Sequence, residues 1–291
     1  MSQIEFPSGI TWKADPKPAA DFLGPNVSPY ATKRFYPNSI GYGSSAGVVK
    51  INFDMSNVTD TSYMFDGSEY LERVVGLGGD AMANVTNTGS MFSNCYRISS
   101  YPSDNLPLMN LDNVLDANSM FTYFGHSVPG GTISDLSLPK VTTLGNIFSS
   151  AKVGTIGNIH CPRCTNFGSM MTNCTATSVG EVDATSCTNP SGPMGYSDNT
   201  TLTDMGGFKN LKVSWTSYAF EKCRNLTVES LMNIINNLYD WSGNTDGKAP
   251  LYDGTMHSFG TTHKMSFGST NLAKLTDEQK AVATNKGWTL V

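Results

Sequence analysis

The chain has 291 residues, a formal net charge of −5 and 15% charged residues, against about 25% in a typical soluble domain. It holds no cluster of Lys and Arg, so the composition argues against the basic surface of a nucleic-acid-binding protein. No stretch reaches the roughly 18 apolar residues of a membrane-spanning helix, so we expect no membrane insertion. The first residues lack the basic and apolar regions of a secretory signal, which predicts a protein that folds in a cytosol.

Residues 1–50 predict an extended N-terminal arm. Five prolines between Pro16 and Pro37 disfavour a helix. The arm is rich in aromatic residues, which suits a cap on the first repeat or a docking arm for a partner subunit, and the two roles are compatible. The candidate docking residues are Phe6, Trp12, Phe22, Tyr30, Phe35 and Tyr36.

Residues 51–226 contain seven copies of one motif. The first copy reads Asn57-Val-Thr-Asp-Thr-Ser-Tyr-Met-Phe65, and we number each copy from the residue equivalent to Val58, which is position 0. An apolar residue returns at position +7. The pairs at positions 0 and +7 are Val58/Phe65, Val85/Phe92, Val114/Phe121, Val141/Phe148, Cys164/Met171, Cys187/Met194 and Val213/Phe220. Successive copies are 27, 29, 27, 23, 23 and 26 residues apart, and such a period predicts a leucine-rich-repeat-like solenoid.

Positions −5 and −3 of most repeats are also apolar, as in Leu136/Leu138 and Ile159/Cys161. This alternation predicts a short strand with one buried face. Equivalent strands should stack about 4.8 Å apart in a parallel sheet. The predicted fold is therefore a right-handed repeat coil with a short-stranded parallel sheet. Its central test is a single interior column formed by Phe65, Phe92, Phe121 and Phe148.

Residues 227–291 predict a C-terminal cap with two helices and a long loop. The first helix, at 227–239, has Thr227 as its N-cap, and the second, at 277–286, has a capping box of Thr276 and Gln279. The end of the chain, 288–291, is apolar enough for an edge strand. Long loops within a compact unit are usually functional or disordered. The candidate binding residues of the loop at 241–263 are Trp241, Tyr252, His257, Phe259 and His263, with packing in the core as the alternative.

Three segments resemble one family. Asp54-Met-Ser-Asn-Val-Thr-Asp-Thr-Ser-Tyr-Met-Phe65 resembles the repeat of bacterial surface lipoproteins related to the BspA-like leucine-rich-repeat family. Lys212-Val-Ser-Trp-Thr-Ser-Tyr-Ala-Phe-Glu-Lys-Cys-Arg-Asn-Leu226 is similar to the BspA-like unit itself, and the tail from Asn271 is similar to the terminal cap of such proteins from gut bacteria and their phages. The resemblance implies adhesion or assembly surfaces and no known catalysis. It does not extend to residues 1–50.

The six cysteines allow three interpretations. Cys161-Pro-Arg-Cys164 with His160, Cys174 and Cys187 could form a zinc site. Alternatively, Cys164 and Cys187 could form a disulfide. The third interpretation follows from the repeat numbering, which places every cysteine at a core position, where a thiol behaves as a small buried apolar group. We favour the core interpretation and expect no metal, no cofactor and no catalytic residue.

These observations predict a non-enzymatic binding or structural protein within an oligomeric assembly. The first hypothesis is a phage virion component that decorates the capsid, forms a head fibre or belongs to the tail, with capsid or tail subunits as partners. The second hypothesis is a BspA-like adhesin on a bacterial surface that binds a host protein or glycan.

Overall fold

The computed structural model describes residues 2–5, 47–51, 55–102, 107–196 and 198–291. Within these ranges most of the strands pair in parallel and helices are few. The strands are β1 (Ser2–Glu5), β2 (Gly47–Lys50), β3 (Leu71–Val75), β4 (Gly131–Ile133), β5 (Leu136–Ser137), β6 (Val153–Ile156), β7 (Ile159–His160), β8 (Ser178–Val179), β9 (Val182–Asp183), β10 (Asp204–Met205), β11 (Phe208–Lys209), β12 (Lys248–Pro250), β13 (Met256–Ser258), β14 (His263–Met265) and β15 (Trp288–Leu290). The helices are α1 (Val228–Asn237), α2 (Gly268–Leu272) and α3 (Asp277–Asn285), with a 3-10 turn at Asp80–Met82.

The strand predicted at positions −5 to −3 is confirmed in the later repeats, although it is only two residues long. β5, β7, β9 and β11 form one parallel sheet in which each strand pairs with its equivalent in the next repeat. Leu136, for example, pairs with Ile159. Leu136 is buried and the following Ser137 is exposed, so the alternation read from the sequence places the apolar side chain in the core.

A second parallel sheet, made by β4, β6, β8 and β10, was not predicted. The buried apolar residue of each strand lies at position −8 of the repeat that follows, namely Ile133, Ile156, Val179 and Met205. These residues therefore recur at a fixed position, which lies outside the positions −5 to +7 on which the prediction was based.

A third set of bridges lies at position +2. Asp60 pairs with Asn87, which pairs with Asp116, and Thr143 pairs with Asn166. In the first six repeats the side chain at this position accepts a hydrogen bond from the backbone N–H two residues later, for example Ser62 N to Asp60 Oδ1 at 2.9 Å and Gly89 N to Asn87 Oδ1 at 2.9 Å. Short polar side chains at +2 therefore fix the same tight turn in successive repeats.

The core follows the repeat numbering. All residues at positions 0 and +7 are buried, from Val58 to Phe220. Phe65, Phe92, Phe121 and Phe148 form one continuous stack, with ring centroids 5.4, 5.8 and 5.9 Å apart in turn. The backbone N–H at each of the first three donates to the carbonyl at +6 of the next repeat, at 2.9 Å. The predicted interior column is confirmed.

At the N-terminal end, β1 pairs in parallel with β2, and β2 pairs with β3 of the first repeat. Two segments of the predicted arm are therefore strands next to the repeats. The candidate docking residues Phe6, Trp12, Phe22, Tyr30, Phe35 and Tyr36 lie outside the described residues.

At the C-terminal end, both predicted helices are confirmed as α1 and α3. Thr227 caps α1 by accepting from Ser230 N, and Thr276 with Gln279 forms the capping box of α3. The predicted edge strand is β15, which pairs in parallel with β14. Two expectations were wrong. The cap contains a third, short helix, α2, and the loop at 241–263 contains the antiparallel hairpin β12–β13.

Candidate functional site

The β12–β13 hairpin presents a defined tip. Leu251 N donates to Thr255 O at 2.9 Å, and the Oδ1 atom of Asp253 accepts from Thr255 N at 2.9 Å. Gly254 occupies the left-handed region, with φ 85°, where a side chain would strain the backbone. This turn chemistry makes the tip a structured feature.

The five candidate binding residues separate into two groups. Trp241 and His263 are each only 4% exposed. Their rings stack with centroids 4.0 Å apart and planes 1° apart, and Trp288 packs beside His263 at 5.5 Å. His263 begins β14, and the pairing of β14 with β15 carries its ring into the interior. For these two residues the core-packing alternative is confirmed, so the exposed surface does not include them.

Tyr252 and His257 are exposed, and Phe259 is half-buried. The Phe259 ring lies 5.8 Å from Trp241 and 4.9 Å from His257. Phe259 therefore connects the buried stack to the outer face of the hairpin. The exposed Met256, which is 58% accessible, adds an apolar side chain that the sequence analysis did not select.

Arg163 is the second residue that the sequence analysis missed. Its guanidinium lies 5.5 Å from the centroid of the Tyr252 ring. The backbone N–H of Tyr252 donates to Ser186 Oγ at 3.0 Å, so the hairpin folds back over the fifth and sixth repeats. We call the exposed group of Arg163, Tyr252, Met256, His257 and Phe259 the hairpin surface.

The contacts made by the side chain at position −1 differ between repeats, and this difference explains why Arg163 can reach the hairpin. In the second, third and seventh repeats the side chain at −1 donates to a backbone carbonyl of the preceding repeat, and Lys140 of the fourth donates to the Asn113 side chain. Asn84 Nδ2 bonds to Ser56 O, Asn113 Nδ2 to Ala83 O and Lys212 Nζ to Thr185 O, each at 2.7 Å. Arg163 and Ser186 occupy the same position and contact the hairpin instead. This departure from Asn or Lys at −1 is the signal that could have located the contact.

Charges of both signs lie at the hairpin, because Arg163 belongs to the hairpin surface and Asp253 lies at the tip beside it. Hydrogen bonds from the backbone N–H and hydroxyl of Thr255, together with the positive charge of Arg163, lower the pKa of Asp253. An exposed cation over a tyrosine ring contributes about 0.5–1 kcal/mol. An exposed aromatic ring held by a cation suits the recognition of another macromolecule.

The cysteines occupy the core, as predicted from their repeat positions. All six are free thiols and all are buried. Cys95 Sγ lies 3.2 Å from Phe65 O, and Cys161 Sγ lies 3.3 Å from Asp183 O, so these thiols bond to the backbone of neighbouring repeats. Burial raises the pKa of Cys174 to about 11 and that of Cys223 to about 12, which keeps both as neutral thiols at physiological pH.

Lys212 is an unusual buried cation. Lys212 is 1% exposed. Its ammonium donates to Thr185 O and lies 5.2 Å from the centroid of the Tyr239 ring. Burial lowers its pKa to about 8. The ammonium links the sixth repeat to the segment after α1, which is a structural role.

The described ranges hold no group of three or more His, Cys, Asp or Glu side chains placed to bind a metal ion. No helix in these parts of the chain has both the length and the apolar character that a bilayer crossing requires.

Comparison with known proteins gives one similarity. Residues 45–153 match the model of a family described as "Mycoplasma protein of unknown function, DUF285". The matched segment starts just before β2 and includes the first four pairs at positions 0 and +7, so it covers less than half of the chain. No curated protein and no solved structure shows a significant match.

Proposed function

We propose that the chain is a BspA-like, leucine-rich-repeat-type solenoid that acts as a non-enzymatic binding and structural protein. The family match to residues 45–153 is consistent with a repeat protein. The continuous phenylalanine stack and the parallel pairing of equivalent strands support a rigid, elongated body. Repeat architectures of this kind use an extended surface for recognition.

The roles of the chemically reactive side chains support a function without catalysis. The six thiols fill core positions, and His263 stacks against Trp241 in the interior. A nucleophile needs an accessible, ionisable group with a base beside it, whereas burial keeps the pKa of Cys174 and Cys223 high. These residues stabilise the fold in our proposal.

The hairpin surface is the observation that carries the binding role. Tyr252 is 52% exposed, yet its backbone is bound to Ser186 and its ring lies beside Arg163. A ring that is exposed and already held in place loses little conformational entropy on binding. We propose that a protein partner packs on this surface.

We further propose that the assembly is a phage virion, with the protein on the capsid, in a head fibre or on the tail. The family match begins at residue 45, so the aromatic-rich segment before it is separate from the matched unit. That separation suits an arm that attaches the repeats to a capsid or tail subunit. The second candidate is an adhesin on a bacterial surface, and the mention of Mycoplasma in the family description favours it.

Location distinguishes the two candidates. Phage particles and cell envelopes would be purified from the same culture of cells that carry the gene, and peptides of the chain would be quantified in both by mass spectrometry. We expect enrichment with the major capsid protein through a density gradient. Enrichment in the envelope fraction would replace the virion proposal with the adhesin, and recovery in neither would contradict both.

The partner-binding role needs a separate test. A photo-crosslinking amino acid would replace Tyr252, and the same amino acid would replace Tyr70 as a matched control. Tyr70 also has a guanidinium over its ring, that of Arg97 at 5.1 Å, but it lies far from the hairpin in the sequence. We expect a crosslinked protein adduct from position 252 in the assembly and none from position 70. Adducts from neither position, or from both equally, would contradict the hairpin surface as the contact.

A further inference from the structure

A polar groove crosses four successive repeats, away from the candidates that the sequence analysis selected. Its volume is about 350 Å³. It extends from Tyr123 of the third repeat, past Lys152 of the fourth and Asn173 of the fifth, to Asp198 and Thr200 of the sixth. Strands of neighbouring repeats stack about 4.8 Å apart, so the three steps from the third to the sixth repeat make the groove about 14 Å long.

One end of the groove is an aromatic shelf. Tyr123 is 42% exposed, and its ring centroid lies 6.3 Å from that of His126. The ring of Tyr96 lies 5.5 Å from His126 on the other side. Three neighbouring rings with polar tips offer both an apolar face and hydrogen-bonding groups.

The opposite wall is held in place by the seventh repeat. Asn225 Nδ2 donates to Thr200 O at 2.6 Å, and Lys222 Nζ donates to Tyr196 O at 2.6 Å. The same ammonium lies 3.8 Å from the carboxylate of Asp198. Because these contacts join the wall to the seventh repeat, they restrict its motion, which lowers the entropic cost of binding.

Asn199 positions the hydroxyl groups of this wall. It lines the groove and is 5% exposed. Its Oδ1 atom accepts from the backbone N–H of Leu202 at 3.0 Å, and from the backbone N–H and the hydroxyl of Thr201 at 3.3 and 3.2 Å. These bonds fix the turn that carries Thr200, which is exposed at the groove.

The composition of the groove limits what can fill it. The walls carry both Lys152 and Asp198, together with the hydroxyl groups of Ser150, Thr200 and Thr201. A strongly anionic ligand would meet the Asp198 carboxylate, and an apolar ligand would leave these polar groups without partners. A ligand rich in hydroxyl groups would bond to the polar wall at one end of the groove, and its C–H faces would pack on the Tyr123 ring at the other.

We propose that this groove binds a glycan, with a sugar ring against the shelf of Tyr123 and His126 and its hydroxyl groups bonded to the exposed Thr200 of the opposite wall. The inference rests on the proposed binding function and assigns it a second surface with a different ligand class. In the assembled particle or on the cell, the hairpin surface would contact protein while the groove would contact carbohydrate.

The test begins with the purified full-length chain on a printed array of host O-glycans, host N-glycans and bacterial cell-wall and capsular polysaccharides. The retained glycan is then titrated by calorimetry against the wild type and three variants. Tyr123→Ala removes the exposed ring of the shelf. Thr200→Val removes an exposed hydroxyl group of the opposite wall and keeps the size of the side chain. Tyr70→Ala, in the first repeat and outside the groove, is the matched control, and thermal melts confirm that each variant is folded.

We expect Tyr123→Ala and Thr200→Val each to weaken binding about tenfold or more, and Tyr70→Ala to leave it unchanged. No retained glycan, or retention that all three variants share equally with the wild type, would overturn the proposal. An equal loss of binding in Tyr70→Ala would also overturn it, because the loss would then not depend on the groove. Crosslinking at position 252 does not depend on any of these outcomes, so the two proposals can fail separately.

Discussion

The repeats and the C-terminal cap are stabilised in different ways. In the repeats, each residue contacts its own equivalent one repeat later, as in the phenylalanine stack and the 2.9 Å backbone bonds at position +7. In the cap, single polar side chains each bind several carbonyls. Asn271 Nδ2 donates to Phe220 O, Cys223 O and Phe267 O, each at 3.1 Å. Lys286 Nζ bonds to carbonyls at the end of α1, including Asn236 O at 2.6 Å.

The difference follows from where the stacking ends. Within the repeats, an N–H of one copy is satisfied by a carbonyl of the next, so the backbone needs no special residue. The last repeat has no successor, and its backbone groups need other partners. Ser266 O accepts from Phe220 N at 3.1 Å, while Asn271 and Lys274 supply donors to the carbonyls at 220–226. The repeats are therefore stabilised by the same packing and backbone contacts made in every copy, whereas the cap is stabilised by a few individual side-chain hydrogen bonds.

The largest effect is expected from a charge in the repeat core. Val114 is fully buried at position 0, so Val114→Asp should destabilise the protein by at least about 4 kcal/mol because its charge has no partner. Asn113→Asp is the neighbouring control and should cost clearly less, because it loses the bond from Nδ2 to Ala83 O but places its charge beside Lys140 Nζ. Urea unfolding of both variants measures the contrast. Equal tolerance of the two would show that the repeat numbering is wrong.

Removing one ring from the middle of the stack should come next. Phe121 stacks between Phe92 and Phe148 and meets Phe124 edge-on at 5.3 Å. Phe121→Ala should lower the free energy of unfolding by about 3–5 kcal/mol, through lost burial and the cavity left behind. The half-buried Phe259 of the hairpin provides the comparison, and Phe259→Ala should cost clearly less in the same urea titration. A larger loss for Phe259→Ala would contradict the assignment of the stack as the main core.

The cap should be most sensitive to its hydrogen bonds. Asn271→Ala removes three donor contacts and leaves buried carbonyls less well satisfied, which should cost about 1–3 kcal/mol. Hydrogen exchange should show the loss in α2 and β14 before it appears in the phenylalanine stack. Asn236→Ala, at an exposed position of α1, should stay within about 0.5 kcal/mol of the wild type. Uniform loosening of the whole chain would mean that the cap and the repeats unfold as one unit.

The smallest expected effect is a pH dependence confined to the cap. Burial lowers the pKa of His263, partly opposed by its hydrogen bond to the backbone of Lys212. The unfolded chain then takes up the proton first, near its ordinary pKa of about 6.5. Stability should therefore be unaffected by this group above that pH and should fall as the pH decreases through the folded-state pKa. In His263→Phe this contribution should disappear. The urea midpoint should therefore decrease less between neutral and mildly acidic pH in this variant than in the wild type. An equal decrease in the urea midpoint of both proteins would contradict the role given to His263.

Much of the repeat architecture could be predicted because the same physical requirement recurs at fixed positions. Position 0 and position +7 must be apolar in every copy, and the seven pairs reveal the core directly. The sheet of β4, β6, β8 and β10 was missed because its recurring apolar residue lies at position −8, outside the motif from −5 to +7. The β12–β13 hairpin was missed because Lys248–Pro250 and Met256–Ser258 show neither strict alternation nor strong strand formers.

The candidate site was less accessible to sequence reasoning. The residues of the loop at 241–263 were selected for their aromatic character, which does not reveal whether a ring is inside or outside. Tyr252 lies on the surface and Trp241 in the core, although both are large aromatic residues of the same segment. The contact of Tyr252 with Ser186 joins residues 66 positions apart, and no local pattern records it.

The sequence by itself determined the period of the repeats, the buried positions within each copy and the caps of α1 and α3, because each depends on neighbours along the chain or on a residue type that recurs at regular spacing. The tertiary structure alone decided which face of the repeats carries the groove, that Tyr123 and Thr200 line it together, and that Arg163 meets Tyr252. Those arrangements depend on how far each repeat turns relative to the next and on where the cap folds back. Such relations are fixed by packing across many residues and are not encoded at any one of them.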